Sequence, residues 1–419
     1  MERGAMQPAA GDLRVPGRDV ELVLDLSRLV SRIRHATPTG VDRVELAYAR
    51  ELQRRVPGRL SFAAVHPTGI YGRIPTPRAE RFLDGVEGLW TAGRGRPPRD
   101  NWFALLRTLT LVRPGPVPAP KGPRVFLQSS PHHLHRPNLV RAILRRENAS
   151  FACLLHDLIP IEFPEYARPG GNELHVQRIR TIAGLADAVI ANSRATAEAF
   201  RPWLEEAGRG DVPVTVAHLG LEEAPEPAVP DPSAPPYFVC IGTIEPRKNH
   251  LLLLNLWRQI AEARTSEGPP VPRLVLIGRR GWENEQVVDM LDRCPALAGL
   301  VEEHSGLPDA RVRALLAGAR GLLLPSFAEG FGMPVPEALA LGVPVLCSDL
   351  PALREAGGEA PCYLDPLDGP GWRRAIGALA NPVDPARAAQ LARIARWRAP
   401  TWAEHMSIVL DQVARVTAR

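Results

Sequence analysis

Ser326–Asp349 reads SFAEGFGMPVPEALALGVPVLCSD, and this stretch decides the fold. It follows Gly321–Leu324, a short apolar run without polar alternation, the pattern of a strand buried on both faces. Gly330 and Gly332 permit a tight turn whose backbone N–H groups point outward. Proline at 334 suits the first turn of a helix, Gly342 ends that helix, and Pro344-Val345-Leu346 reads as the next strand. A glycine turn between a parallel strand and a helix N-terminus is an anion site. Glu329 stands before the turn and Glu337 inside the helix, so the two carboxylates can face two parts of one extended ligand.

Outward from this stretch, similar apolar runs recur at Val20–Leu26, Arg124–Gln128, Ala152–Leu155, Ala188–Ala191, Tyr237–Ile241 and Arg273–Ile277. Amphipathic stretches lie between them, among them Val41–Arg54, Leu251–Ala263 and Ala310–Leu316. Strands alternating with helices predict parallel sheets of βαβ units, an α/β class. Glu222–Pro236 breaks the alternation: six of its fifteen residues are proline, so it is neither helix nor strand. It predicts a linker between two Rossmann-like domains, residues 19–221 and 237–400. Residues 1–18 read as a disordered lead and 401–419 as a C-terminal helix that could pack back on the first domain. The chain has 419 residues, which fits two cores better than one.

Composition narrows the function. No run of apolar residues is long enough for a membrane span, and Met1–Arg18 lacks an apolar signal core, so a cytoplasmic protein is expected. The five cysteines form no Cys-x-x-Cys pair and read as buried thiols. No zinc pattern and no Asp-x-Asp pair appear, so no metal and no cofactor is expected. A net charge of +5, with no recognisable nucleic-acid module, argues against a nucleic-acid partner. One irregular segment, around Arg94, Arg96, Arg99, Trp102, Leu105, Arg107 and Arg113, mixes basic and apolar residues and predicts contact with an anionic membrane surface.

A second chemical motif follows the run Tyr237–Ile241: Gly242-Thr243-Ile244-Glu245-Pro246-Arg247-Lys248-Asn249, leading into the helix 251–263. Arg247 and Lys248 sit where a diphosphate would be favoured by the helix start and by charge. Lysine is rare here, Lys121 and Lys248 being the only two among 51 basic residues, which singles Lys248 out. A cation opposes the helix dipole at that place, so its removal is expected to cost no stability.

The pair Glu329 and Glu337 around Gly330-Phe331-Gly332 resembles the signature of the retaining "group 1" nucleotide-sugar glycosyltransferases, which have the two-Rossmann GT-B fold. The resemblance implies that Glu329 holds hydroxyls of the donor sugar and Glu337 the ribose. It implies that the amides of Gly330, Phe331, Gly332 and Met333 face the sugar and distal phosphate, and that Arg247 and Lys248 hold the leaving diphosphate. Many members carry Arg where this chain has Thr243, so Arg247 takes over that charge. Arg279 follows the strand that lines the nucleotide pocket, and Gly306 and Leu307 match the loop at the base. In the first half, Thr37–Arg43 resembles the family's glycine loop, with Gly40 near the donor. His156 is similar to the histidine placed over the donor sugar, with Asp157 behind it and Asn192, Ser193 and Arg194 near the cleft. The stretch around His156 is most similar to bacterial transferases acting on O-antigen, capsule or exopolysaccharide chains. Several of these use GDP-mannose, which the resemblance therefore favours as donor, with a glycan or lipid-linked acceptor. A non-catalytic GT-B scaffold in a polysaccharide assembly complex and a nucleotide-sugar epimerase share the same motifs.

Overall fold

The apolar runs form two separate sheets in the computed structural model, which describes residues 20–33, 35, 37–91, 108–222, 236–264 and 270–417. The lead 1–18, nearly all of the proline-rich segment, and Arg94, Arg96, Arg99, Trp102, Leu105 and Arg107 of the expected membrane patch lie outside the described residues; Arg113 is described and exposed.

The first sheet contains β1 (Glu21–Asp25), β2 (Leu60–Val65), β3 (Tyr71–Ile74), β4 (Arg124–Gln128), β5 (Ser150–Leu155), β6 (Ala188–Ala191) and β7 (Val214–Val216). Their order is β3-β2-β1-β4-β5-β6-β7, parallel except for the antiparallel pair β2–β3. The second sheet contains β8 (Tyr237–Ile241), β9 (Arg273–Ile277), β10 (Val301–His304), β11 (Gly321–Leu324), β12 (Val345–Ser348) and β13 (Cys362–Leu364), in the all-parallel order β10-β9-β8-β11-β12-β13. The central strands are buried on both faces, which is why their sequences lack alternation.

Each sheet reverses its winding direction beside its first strand, between β1 and β4 and again between β8 and β11. At such a switch point the two neighbouring loops leave in opposite directions and open a crevice at the carboxyl ends of the strands. The segments after β1, β4, β8 and β11 are therefore where ligands are expected, and they carry the chemistry described below.

The helix Trp402–Thr417 returns to the first domain and packs on the helix Gly40–Arg55. His405 Nε2 lies 2.7 Å from the Tyr48 hydroxyl, and Thr215 donates to Gln412 at 3.0 Å. Met406, Val409 and Val413 are buried there; full burial of such a side chain contributes about 1.5–3 kcal/mol. The two lengths of chain that join the domains run side by side, with Leu221 N–H donating to the Pro400 carbonyl at 3.1 Å. Gly220 is required at that crossing, because a Cβ there would stand 2.0 Å from the backbone nitrogen of Trp402. Among the described residues no helix is long and apolar enough to cross a membrane. The five cysteines are free thiols, with Cys153, Cys240 and Cys347 buried.

Candidate active site

The segment after β8 turns through Pro246–Lys248 and enters the helix His250–Glu262 by way of Asn249 in the left-handed conformation (φ 53°). The turn directs Arg247 and Lys248 toward the segment after β11. There Glu329 accepts from Lys248 Nζ at 2.5 Å, from Arg247 Nη1 at 2.9 Å and from Ser326 Oγ at 2.7 Å. Arg247 also holds Glu245 at 2.6 Å. Glu329 is buried, which alone would raise its pKa, but Lys248 and then Arg247 overcome this and hold it at about 2. Gly242 makes room for the lysine, because a Cβ there would lie 3.2 Å from Lys248 Cε.

This arrangement corrects one expectation. Lys248 is not a dispensable cation at a helix start: it is only 8% exposed and it neutralises a buried carboxylate. Removing it leaves Glu329 to Arg247 and Ser326 alone. The Oε2 atom of Glu329 accepts one bond, from Arg247, and retains capacity for a second from a ligand hydroxyl.

The Gly330 turn is pressed against the first domain. A Cβ on Gly330 would stand 2.4 Å from the His156 carbonyl oxygen and 3.0 Å from Asp157 Cβ. Ser193, the N-cap of the helix Arg194–Glu206, donates to the Gly330 carbonyl at 2.7 Å. His156 donates from Nε2 to the Ser129 carbonyl at 2.8 Å, and its burial depresses its pKa, so the ring is neutral at pH 7. The phenyl ring of Phe331 is directed elsewhere: it is buried in the first domain's core, 5.5 Å from the His218 ring. Gly332, at φ 84°, needs the glycine backbone.

Glu337 is half-buried in the helix Pro334–Ala340. Burial pushes its pKa up to about 7, against the pull of Arg43 across the cleft and with the repulsion of Asp309 and Glu222. Arg43 itself forms a two-pronged ion pair with Asp309, which joins the two domains. Gly306 (φ 70°) would bring a Cβ to 3.9 Å from Thr37 of the first domain, with Leu307 and Asp309 close behind in sequence. Gly40 opens its helix behind Thr39, whose capping box with Asp42 fixes the loop: Thr39 N–H donates to Asp42 at 2.7 Å. Thr243 is half-buried against Gly281, and Arg279 is exposed where it acts electrostatically on Arg32 and His35.

The structure thus brings together Arg247, Lys248 and Glu329, and sets the Gly330 turn on His156, Asp157 and Ser193. Arg194 contributes its backbone N–H to Glu355 at 2.7 Å while its side chain faces solvent. Asn192 is buried with its Oδ1 unpartnered. Sequence reasoning passed over the clamp across the cleft. Tyr166 stacks on Phe327 with ring centroids 5.7 Å apart, Trp282 donates to the Tyr166 carbonyl at 3.0 Å, and Arg168 lies 4.4 Å over the Trp282 ring. It also passed over Arg28, His132, His175 and Arg178. A signal was available for one of them: Pro131-His132-His133-Leu134-His135-Arg136 follows β4 after two intervening residues, at a switch point.

Two Rossmann-like domains with facing crevices define the GT-B class of architecture, and solved structures share it. Anabaena HepE, solved in complex with UDP-glucose, has a TM-score of 0.61 at 16% identity, covering 95% of this chain and all of that one. Sucrose-phosphate synthase from Thermosynechococcus elongatus also has a TM-score of 0.61, at 17% identity, covering 95% of this chain and 98% of that one. At these identities the likeness shows the fold. Residues 235–381, most of the second domain, match the family model "Glycosyl transferases group 1". Among curated relatives, the serotype-specific mannosyltransferase WbdA of Escherichia coli is 27% identical over 354 residues, covering 77% of this chain and 43% of the relative. The O-antigen chain mannosyltransferase B of Escherichia coli is 38% identical over 132 residues, covering 32% of this chain and 33% of the relative. The chain therefore spans less than half the length of these relatives.

Proposed function

We propose that this protein transfers a sugar from a nucleotide-diphosphate sugar to a hydroxyl of a growing polysaccharide or lipid-linked glycan, with retention at the anomeric carbon. The observation that carries the reading is the joining of Arg247, Lys248 and Glu329 at the β8–β11 switch point, directly opposite His156 at the end of β5. A diphosphate leaving group gains negative charge as the glycosidic bond breaks. Fixed cations in a closed cleft stabilise that charge more than water does, and they need no metal to do so. In this reading Lys248 and Arg247 meet the diphosphate. Glu329 orients both cations and accepts a sugar hydroxyl at Oε2, Glu337 holds the ribose, and His156 faces the sugar. GDP-mannose is the favoured donor, because the relatives above are named mannosyltransferases. Peripheral contact with an anionic inner membrane face fits a lipid-linked acceptor, and sedimentation with anionic against neutral liposomes tests it.

A thermal-shift panel of GDP, UDP and dTDP tests the donor, with GDP expected to raise the melting temperature most. Release of GDP from GDP-mannose should then depend on added mannan-type acceptor. Release without acceptor, together with isomerised sugar, would point to an epimerase. No shift with any nucleotide would leave a scaffold.

A further inference from the structure

The first domain's switch point carries a charge cluster that the donor chemistry does not use. Arg28 follows β1, His132 follows β4, Asp157 follows β5, and Arg178 comes from the helix Gly171–Leu185. On that helix His175 and Arg178 share one face, and His175 Nε2 donates to the Asp157 carbonyl at 3.0 Å, which fixes the face over the end of β5. Arg28 commits Nε and Nη2 to Asp42 and Thr39, at 2.6 and 2.9 Å, and Arg32 leans on the same Asp42 at 3.3 Å. Arg178 is half-buried, its Nε is enclosed, and among the described residues it has neither hydrogen-bond partner nor ion pair. Burial and the neighbouring Arg28 both work against its charge, with Asp157 the compensating influence. His132 is held neutral, its pKa pushed down to about 3 by burial and then by His133, Arg28, His135 and Arg178. His133 beside it adopts the left-handed region at φ 62°, an uncommon conformation for a non-glycine residue.

Two carboxylates, Asp42 and Asp157, therefore face Arg28, Arg32 and Arg178, and Asp157 also acts on Arg247 of the other domain. An enclosed guanidinium N–H without a partner, here the Nε of Arg178, is costly, and an oxyanion that accepts from it removes that cost. The donor's own cations lie on the opposite sheet and are matched by Glu329 and Glu245. We propose that the acceptor of this protein carries an oxyanion, a phosphate or a carboxylate, received by Arg178 and Arg28 at the β1–β4 crevice. This rests on the transfer reading, since the crevice faces the donor across the cleft only if the second domain binds a nucleotide sugar.

The test is calorimetric and needs no turnover. Methyl α-mannoside 6-phosphate, methyl glucuronide and neutral methyl α-mannoside are titrated into the full chain, with and without saturating GDP. At least one acidic glycoside should bind about tenfold or more tightly than the neutral one, the scale of a charge-assisted hydrogen bond. Comparing the two acidic glycosides separates phosphate from carboxylate. Arg178→Gln should erase the preference and leave GDP affinity unchanged. Equal binding of the three glycosides by the unaltered protein overturns the inference, and that comparison depends on no variant folding. Loss of GDP affinity in Arg178→Gln also overturns it, by assigning the cluster to the donor diphosphate. Failure of every nucleotide to bind sinks the transfer reading instead, and is read separately.

Discussion

Lys248 and Glu329 meet at 2.5 Å across 81 positions of sequence, the lysine leaving β8 and the carboxylate leaving β11. Because both strands flank the switch point, the pair closes the floor of the crevice, and it ties the loop that would hold a diphosphate to the turn that docks on the other domain. Lys248→Ala is expected to cut turnover by roughly 10²–10³, the scale for losing one transition-state charge contact. Lys248→Arg should recover part of this. Unlike a surface cation, Lys248 should also cost stability when removed, about 1–3 kcal/mol, because a buried carboxylate loses one of its donors. Initial rates at saturating donor and a melting curve check both effects. Normal turnover in a stable Lys248→Ala protein would show that the diphosphate is held elsewhere.

Glu329 and Glu337 should separate in a binding experiment. Glu329→Gln removes negative charge beside two cations, so free GDP should bind at least as well as to the unaltered protein while transfer falls by roughly 10² or more. Glu337→Ala should weaken GDP itself. Isothermal titration together with rate measurements decides this, and the opposite split would reverse the two roles.

Gly330→Ala places a methyl group 2.4 Å from the His156 carbonyl oxygen. The clash involves backbone atoms of both domains, so it cannot be relieved by a rotamer change. Overpacking of this kind costs about 1–3 kcal/mol. The expected result is a folded protein with domains displaced at this contact, seen as a larger radius of gyration in small-angle scattering, and transfer lowered at least as strongly as by Lys248→Ala. An unchanged radius with normal transfer would show that the contact is not needed.

Glu45 sits fully buried behind the first crevice, its carboxyl accepting from Leu29 N–H at 3.0 Å. Burial, and then the nearby Asp25, push it up to about 8; Asp25 is itself raised to about 7 by burial, against hydrogen bonds from Ser27. A carboxyl with a raised pKa keeps its proton in the folded state while the unfolded chain releases it. Its contribution is therefore fully present below the unfolded value of 4.5 and is lost as pH rises through about 8. A tenfold difference in proton affinity between the folded and unfolded states is worth about 1.4 kcal/mol. Glu45→Gln keeps the acceptor for Leu29 and cannot ionise. It should melt higher than the unaltered protein at pH 9, and the difference should shrink to almost nothing at pH 4. A constant difference at both values would show that Glu45 does not titrate.

Much of this protein was legible in the chain alone. The unalternating runs at Tyr237–Ile241 and Gly321–Leu324 are strands because only a doubly covered parallel strand is apolar on both faces. Gly332 and Gly342 punctuate the turn and the helix end through backbone freedom that other residues lack, a local property, whereas Gly330 is needed because the other domain's backbone leaves no room for a Cβ. The signature glutamates could therefore be assigned to one segment from its spacing. What the sequence did not determine is which distant side chains meet there. That Glu329 engages Lys248 and Arg247, that Phe331 turns into the other domain's core, and that Tyr166 stacks on Phe327 all follow from strand order and from how the two sheets face each other. Arg28, His132 and Arg178 belong to no spaced motif, because they come from the short helix Ser27–Ser31, a loop and the helix Gly171–Leu185, which only the β1–β4 reversal brings together. Local backbone preference acts over a few residues and is written in the chain. The field of charges in a crevice is a sum over neighbours in space, and only the fold selects those neighbours.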